Sequence, residues 1–354
     1  MTNETDQPVA TPPHELAPDR PRARIELALQ GGGAHGAFTW GVLERLLEDE
    51  SIDVGRVSGT SAGALNGAAL VSGYATAGRS GAIDNLGRLW RRAAEAGAPM
   101  TLLHVPLKKP GLGIWDDALP LLSPYQTNSF GLEPLRFILS GVADIDAMRA
   151  QLLPALYVNA INVHTGFPRV FGPERLSVEA LMASACAPMM FQAVDIDGEF
   201  YWDGSYGGNP MLWPLYQDGR EVDILLVELS PLRRSETPTT AKNILNRINE
   251  IASINGLVAE LREIQSVNAA AKREVVRVHV ISLPESLSVE EVEPSTKRTV
   301  DAVLFERLRA HGREACDMWL RTHRSQLGVA SSVDIDSRFL AAHHRDFETQ
   351  LVTA

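Results

Sequence analysis

The sequence predicts an α/β protein in which helices cover a mostly parallel sheet. From residue 25 onward, short apolar runs of strand length alternate with segments of helical periodicity, and glycines stand at the first two strand-to-helix junctions. This βαβα order favours parallel strands, because each helix carries the chain back to begin the next strand in the same direction. The chain has 354 residues, of which 45% are hydrophobic, and that is enough for a sizeable core.

The first four predicted elements establish this pattern. Residues 25–30 form a short apolar strand that stops at three glycines. Residues 38–47 carry apolar side chains at helical spacing, and residues 52–58 form a second strand. An Ala/Leu-rich helix follows at 62–71.

Later in the chain, turn residues separate further strands and helices. The predicted elements are paired strands at 155–163 and 168–171 around Thr165-Gly166, a helix at 178–185, a hairpin of 193–196 and 199–202 around Asp197-Gly198, strands at 222–229 and 275–281, and long helices at 241–272 and 300–323. Residues 97–131 contain several prolines and predict an irregular segment, either a lid or wall of a site or plain packing.

The helix predicted at 241–272 carries a stripe of apolar side chains at helical spacing. Its members are Ile244, Ile248, Ile251, Leu257, Val258, Leu261, Ile264 and Val267. Such a stripe is typical of a helix face that packs in the core, so core packing is expected for it, and a face for a partner or a membrane is the alternative.

Charge and cysteine content limit the classes of partner. The net charge of −11 argues against nucleic acid as the main partner and against tight electrostatic docking on anionic membranes. Two cysteines do not make a disulfide framework, which predicts a reducing, cytoplasmic compartment. Residues 1–22 are polar and proline-rich without a signal-peptide pattern, and they predict a disordered tail. The sequence contains no run of 18 apolar residues, so no membrane span is expected.

The segment Gly59-Thr60-Ser61-Ala62-Gly63 lies between a predicted strand and a predicted helix. A nucleophile elbow needs small neighbours because its turn is strained and tightly packed. A serine just before a helix also places backbone N–H groups near developing negative charge. The spacing therefore favours Ser61 as the nucleophile of an acyl-ester hydrolase, and an ordinary glycine-rich turn is the alternative.

The glycine-rich loop at residues 31–36 has two interpretations. Its backbone N–H groups could hold the oxyanion of an acyl-transfer reaction. The same residues match G-x-G-x-x-G, the pattern of a dinucleotide site, which expects an acidic residue at the end of the second strand. Asp53 lies at the beginning of that strand instead, which disfavours the dinucleotide interpretation.

Asp203 follows the predicted strand at 199–202 and precedes Gly204. A tight loop there can expose the carboxylate to a cleft, although an Asp-Gly pair alone is most often a simple turn.

These motifs, in this order, resemble the patatin-like phospholipase family. The matching segments are the loop at 31–36, the elbow at Ser61, the A-S-x-x-x-P segment within 183–191, the pair Asp203-Gly204, and Asn209-Pro210. The resemblance covers roughly residues 24–230, and the set is specific although each motif alone is weak.

The resemblance implies a three-layer α/β/α sandwich, with a catalytic domain at residues 23–230, and a Ser–Asp dyad without histidine. Carried over, Ser61 attacks the ester carbonyl and Asp203 is its base. The implied oxyanion hole is Gly31, Gly32, Gly33 and Ala34, and the supporting residues are His35, Gly36, Gly59, Gly63 and Gly204.

The chain departs from the family pattern at two positions. His35 stands where the family usually has Arg or Lys, so it would add less positive potential to the oxyanion site; it either titrates or serves as a structural hydrogen-bonding group. Ser205 stands where Gly or Ala is frequent, which is a mild change.

Other nucleophiles and bases fit the sequence less well. A Ser–His–Asp triad would need a histidine after Asp203, and the candidates are His279, His311, His323, His343 and His344. None follows a strand in a glycine-flanked loop. Cys186 lies in an Ala-rich run without a nearby cation, which indicates a small core residue. Metal-ligand spacing is absent, and neither a metal nor a cofactor is expected.

The sequence thus favours a phospholipase or lysophospholipase-type acyl hydrolase with a lipid or acyl-ester substrate and room for peripheral membrane contact. The alternatives are a short-chain or polyhydroxyalkanoate-type esterase, a dinucleotide-binding protein, and a catalytically silent lipid-binding module. Residues 231–354 match no motif. They are expected to form a mainly helical extension packed on the same domain, whose helices cap the sheet or form a homodimer surface.

Overall fold

The structure is a computed structural model. It describes residues 22–103, 123–128, 130–230, 232, 234, 237–284 and 300–341. These residues form a central sheet with helices on its two faces, so the α/β fold predicted from the sequence is confirmed.

Eight described strands build the sheet. They are β1 (Ala23–Leu29), β2 (Ile52–Gly59), β3 (Ala155–Asn162), β4 (Pro168–Phe171), β5 (Val194–Ile196), β6 (Glu199–Asp203), β7 (Val222–Glu228) and β8 (Val276–Ser282). Their order is β5-β6-β3-β2-β1-β7-β8, and β4 pairs with β3 beside this path. Five neighbouring strands, in the order β3, β2, β1, β7 and β8, run parallel to one another. Strands β4, β5 and β6 pair antiparallel. The mostly parallel sheet and both predicted hairpins are therefore confirmed.

The described helices connect these strands. They are α1 (Gly36–Leu47), α2 (Ala62–Leu103), α3 (Pro124–Thr127), α4 (Glu133–Leu139), α5 (Ile145–Ala150), α6 (Val178–Ser184), α7 (Trp213–Tyr216), α8 (Ala241–Ala271) and α9 (Ala302–His323). Helix α2 bends at Ala77 and Gly78, whose backbone angles are not helical. It continues to Leu103, so the first part of the segment predicted to be irregular is helical. Residues 104–122 of that segment lie outside the described residues.

Side-chain alternation along β1 shows why helices cover both faces. Ile25, Leu27 and Leu29 join one hydrophobic core with residues of α1, α2 and α9. Ala28 faces the other way and joins a second core with residues of α7 and α8. Because successive side chains of a strand point to opposite faces, the sheet lies between two apolar layers. This is the expected three-layer sandwich.

The chain after residue 230 adds to the same sheet. Strand β8 pairs along its whole length with β7, which precedes residue 230. Helix α9 packs on α1, the helix that follows the glycine-rich loop. The boundaries of 1–22, 23–230 and 231–354 stay predictions.

The stripe on α8 is only partly in the core. Leu257, Val258, Leu261 and Ile264 are buried against β7 and β8. Ile244, Ile248 and Ile251 are 43%, 55% and 44% exposed, so the prediction of core packing is wrong for them. The amino-terminal half of α8 lies over the loop that follows β6 rather than over the sheet, and periodicity alone does not show what covers a helix face.

Helices α1 and α9 cross at two glycines. A Cβ on Gly41 would lie 1.9 Å from the carbonyl oxygen of Arg309, and one on Gly312 would lie 2.0 Å from that of Phe38. Beside this contact, the Arg309 guanidinium donates two hydrogen bonds, of 2.6 and 2.7 Å, to the Glu44 carboxylate. The two backbones are therefore in direct contact, which leaves no room for a methyl group.

We predict that Gly312→Ala lowers the free energy of unfolding by about 1–3 kcal/mol, because the new methyl group overlaps the backbone of α1. In an open helix the same change would stabilise the protein by about 0.5–1 kcal/mol. Urea unfolding followed by fluorescence measures the difference. Gly87→Ala in α2 is the matched control, because its Cβ would meet nothing nearer than 3.3 Å. A stabilised Gly312→Ala variant would contradict the contact.

Candidate active site

Ser61 stands between the end of β2 and the start of α2. Its φ of +54° lies in the left-handed region, where a residue with a side chain is strained. The surroundings accept only small residues. A Cβ on Gly63 would lie 2.1 Å from the carbonyl oxygen of Leu29, and one on Gly59 would lie 2.5 Å from that of Gly63. This is the sharp strand-to-helix turn that the G-x-S-x-G spacing predicts.

The glycine-rich loop packs directly on this turn. A Cβ on Gly31 would lie 2.6 Å from the Cβ of Ser61, and one on Gly36 would lie 2.7 Å from the Cβ of Ala62. Gly33 has a φ of +58°, which favours glycine. The loop then forms a 3-10 turn at Gly33–His35 and continues into α1.

The amide groups of the loop differ in availability. The Gly31 N–H donates to Asn209 Oδ1 at 2.6 Å, and the His35 N–H donates to the carbonyl of Gly32 at 3.2 Å. The N–H groups of Gly32, Gly33 and Ala34 have no acceptor within the described residues, whereas the Gly31 amide is already engaged. The His35 side chain is buried, at 1% exposure, and does not face solvent.

Asp203 ends β6 and is 5% exposed. Its N–H donates to the carbonyl of Cys186 at 2.9 Å, and its carboxylate accepts the N–H of Ser205 at 2.9 Å. Burial raises the pKa of the Asp203 carboxyl above its usual value, and interactions with Ser205 and with the Ser61 side chain oppose that rise. The Ser61 side chain is thus near the buried carboxylate, although the hydrogen bond that the carboxylate accepts among the described residues comes from the N–H of Ser205.

The sheet brings these two side chains together. Strand β3 lies between β2 and β6, with Val158 opposite Gly59 and Ala160 opposite Asp203. Since β6 is antiparallel to β3, its carboxyl end returns toward the middle of β3, close to the end of β2. Ser61 and Asp203 therefore flank β3 at the carboxyl edge of the parallel strands, where open α/β sheets bind ligands.

Asn159 on β3 joins the turn before Ser61 to the loop that follows Asp203. Its Nδ2 donates to the carbonyls of Gly204 and Gly208, both at 3.0 Å, and its Oδ1 accepts the hydroxyl of Thr60. The side chain is 1% exposed. Sequence reasoning did not find Asn159, because an asparagine within an apolar strand belongs to no motif.

Ser184 supports the turn from another side. Its Oγ accepts the backbone N–H of Ser61 at 3.1 Å, and it is fully buried. Two residues later, the carbonyl of Cys186 accepts the N–H of Asp203. The A-S-x-x-x-P segment, which the sequence linked to the family without a role, therefore contacts both Ser61 and Asp203.

The candidate triad histidines lie elsewhere. His279 is fully buried on β8, the third strand from β2 and about 14 Å from it at the usual strand spacing, and its Nε2 lies 3.0 Å from Asp223. His311 and His323 belong to α9, which packs on α1. His343 and His344 lie outside the described residues.

The other sequence alternatives also lack a matching geometry. Asp53 is at the amino end of β2, where it binds Arg22 and Arg79, at the opposite edge of the sheet from the glycine-rich loop. Cys186 is buried, and burial raises the pKa of its thiol to about 12, so it is not a thiolate near neutral pH. Within the described residues, no group of His, Cys, Asp and Glu side chains is placed to hold a metal ion.

Comparison with known proteins identifies the family. Residues 27–216, more than half of the chain, match the patatin-like phospholipase family. Among curated proteins, none matches the sequence.

Three solved structures resemble the chain at low identity. VipD from Legionella pneumophila is 13% identical with a TM-score of 0.40, and the match covers 91% of this chain and 74% of VipD. The ExoU–SpcU heterodimer from the type III secretion system of Pseudomonas aeruginosa gives 19% identity, a TM-score of 0.35, and coverage of 85% and 52%. The type III effector protein ExoU gives 17% identity, a TM-score of 0.32, and coverage of 85% and 53%. The chain therefore spans about half the length of the ExoU chains.

The chain belongs to the patatin-like phospholipase family. Membership places it in the class of lipid acyl hydrolases, in agreement with the resemblance seen in the motifs. In the described part of the chain, no helix combines the length and the apolar composition that crossing a bilayer requires.

Proposed function

We propose that the protein hydrolyses lipid acyl esters through a dyad of Ser61 and Asp203. The observation that carries this proposal is the placement of Ser61, on a strained turn, and of the buried Asp203 on the two sides of β3 at one edge of the sheet. A nucleophile beside a base and an open set of amides is the arrangement that acyl transfer needs.

The first half of the reaction forms an acyl-enzyme. As Ser61 Oγ bonds to the ester carbonyl carbon, its proton moves to Asp203 and the carbonyl electron pair moves to oxygen. The N–H groups of Gly32, Gly33 and Ala34 stabilise that oxyanion, because the Gly31 amide is bound to Asn209. When the electron pair returns, the bond to the leaving alkoxide breaks and the proton on Asp203 passes to it.

The second half restores the enzyme. A water molecule gives its proton to Asp203 while its oxygen attacks the acyl carbon, and a second oxyanion forms at the same amides. Collapse releases the fatty acid, and the proton returns to Ser61. The same carboxylate therefore serves as base and then as acid in each half.

We further propose that the preferred substrates are phospholipids or lysophospholipids at a lipid surface. Ile244, Ile248 and Ile251 expose one face of α8, and Asn249 on that helix accepts the hydroxyl of Tyr206 at 3.0 Å. Tyr206 lies three residues after Asp203, so this apolar face adjoins the loop that follows Asp203. With a net charge of −11, contact with a membrane would depend on apolar burial rather than on electrostatic attraction. A cytoplasmic location remains a prediction from the cysteine content.

We predict that a fluorophosphonate labels Ser61, as located by mass spectrometry of the digested protein. Ser61→Ala should abolish labelling and hydrolysis of p-nitrophenyl butyrate, and Asp203→Asn should slow both by about 10²- to 10⁴-fold because the base is lost. Ser266→Ala, which changes an exposed serine of α8, is the control and should behave as wild type. Full activity in Asp203→Asn would exclude the dyad, and inactivity of His311→Ala or His323→Ala would support a triad.

We predict an acid limb in the pH profile of kcat/KM that has its midpoint above about 4, the ordinary aspartate value. Burial favours the protonated form of Asp203, and a protonated carboxyl cannot accept the Ser61 proton. Activity should therefore fall as the pH decreases through this raised pKa. Fluorescence spectra at each pH confirm that the protein stays folded. Undiminished kcat/KM at pH 4 would rule out a buried carboxylate as the base.

We predict that the double change Ile248→Gln and Ile251→Gln reduces hydrolysis of phosphatidylcholine vesicles by about tenfold or more, because two partly exposed isoleucines lose their apolar contact with lipid. Hydrolysis of soluble p-nitrophenyl butyrate should stay unchanged. Val303→Gln with Met318→Gln on α9 is the matched control, since both side chains are exposed and lie on a different helix. Equal vesicle activity in the two double variants would exclude this face as the lipid contact.

A further inference from the structure

The side chain of Asn209 is fully bonded inside the site. It is 2% exposed and lies six residues after Asp203. Its Oδ1 accepts the N–H of Gly31 at 2.6 Å, and its Nδ2 donates to the carbonyl of Gly31 at 3.3 Å. The same Nδ2 donates to Ser253 Oγ on α8 at 2.6 Å. One amide thus holds both polar backbone groups of a single loop residue.

These bonds determine the direction of a neighbouring amide. The carbonyl of Gly31 and the N–H of Gly32 belong to one planar peptide unit and point in opposite directions. When Asn209 holds the Gly31 carbonyl on its own side, the Gly32 N–H is directed to the other side. That N–H is the first one of the loop without a described acceptor.

The loop needs such a restraint because glycine imposes little of its own. A peptide unit between two glycines rotates at low cost, since neither residue has a Cβ to restrict it. Gly31 must nevertheless lack a side chain, because a Cβ there would lie 2.6 Å from the Cβ of Ser61. The close contact that requires glycine therefore also removes the usual source of backbone rigidity.

Ser253 connects the Asn209 side chain to the carboxyl-terminal third of the chain. It is buried on α8, and its hydroxyl is one of three partners of the Asn209 side chain. Three residues later, a Cβ on Gly256 would lie 3.0 Å from the Cα of Gly208, next to Asn209. Helix α8 thus packs against the backbone next to Asn209.

We propose that Asn209 is a positioning residue for acyl transfer, which fixes the Gly31–Gly32 peptide so that the Gly32 N–H meets the oxyanion, and that Ser253 holds Asn209 in place. The inference rests on the proposed ester hydrolysis at Ser61. Asn209 touches neither the substrate nor the reacting atoms, so its effect appears in the transition state rather than in substrate binding.

The test compares Asn209→Ala, Ser253→Ala and the control Ser266→Ala on p-nitrophenyl butyrate, with active sites counted by fluorophosphonate titration. Loss of one oxyanion donor typically costs about 10²- to 10³-fold in kcat. We expect a decrease of kcat per active site by about 100-fold in Asn209→Ala and a smaller decrease in Ser253→Ala, with KM changed less than about threefold. The inhibition constant of an alkyl trifluoromethyl ketone, which forms a tetrahedral oxyanion on serine, should rise in parallel with the loss of kcat.

A purely structural role would lower the unfolding temperature and the number of active sites but leave kcat per site and the ketone inhibition constant unchanged, and that result would overturn the inference. If Asn209→Ala does not fold, Ser253→Ala carries the test, because the loss of one buried hydroxyl is a small change. Wild-type kinetics and inhibition in Ser253→Ala would then overturn it. Absence of wild-type labelling at Ser61 would contradict the proposed hydrolysis itself, which separates the two failures.

Discussion

The site depends on the backbone of Ser61, which is held at a φ of +54°. A side chain in this region costs on the order of 1–3 kcal/mol, so the surrounding structure must stabilise it. Ser184 accepts its N–H, the hydroxyl of Thr60 binds Asn159, and Gly31 packs against its Cβ. Each contact comes from a different segment, and together they hold the turn that places Ser61 near the buried carboxylate of Asp203.

The order of strands makes this convergence feasible. Strands β1 and β2 deliver the glycine-rich loop and Ser61 to one edge, and β6 returns antiparallel to deliver Asp203 to the same edge. Two buried asparagines then bind loops to each other: Asn159 joins the turn before Ser61 to the loop after Asp203, and Asn209 joins that loop to Gly31. Ser253 on α8 accepts a hydrogen bond from Asn209, so this helix joins the same hydrogen-bond network.

The sequence predicted those parts of the site that need particular residues close together in the chain. Glycines beside Ser61 and in the loop are needed because backbones approach closely there, and that need is visible as spacing. Asn159 and Ser253 act across long distances in the chain, so no local pattern indicates them, and Ser184 was indicated only through the A-S-x-x-x-P resemblance, without its role. Periodicity identified the apolar face of α8 but not what covers it, and the availability of the Gly31 amide depended on a residue 178 positions away.

The central claim is that Ser61, Asp203 and the amides after Gly31 form one acyl-transfer site. A crystal structure of the protein after reaction with an alkyl fluorophosphonate tests it most directly, because the adduct imitates the tetrahedral intermediate. The claim predicts phosphorus bonded to Ser61 Oγ, with a phosphonyl oxygen within about 3 Å of the Gly32 and Gly33 nitrogens and the Gly31 N–H still on Asn209. Phosphorus on another residue, or a phosphonyl oxygen turned away from these amides, would contradict it.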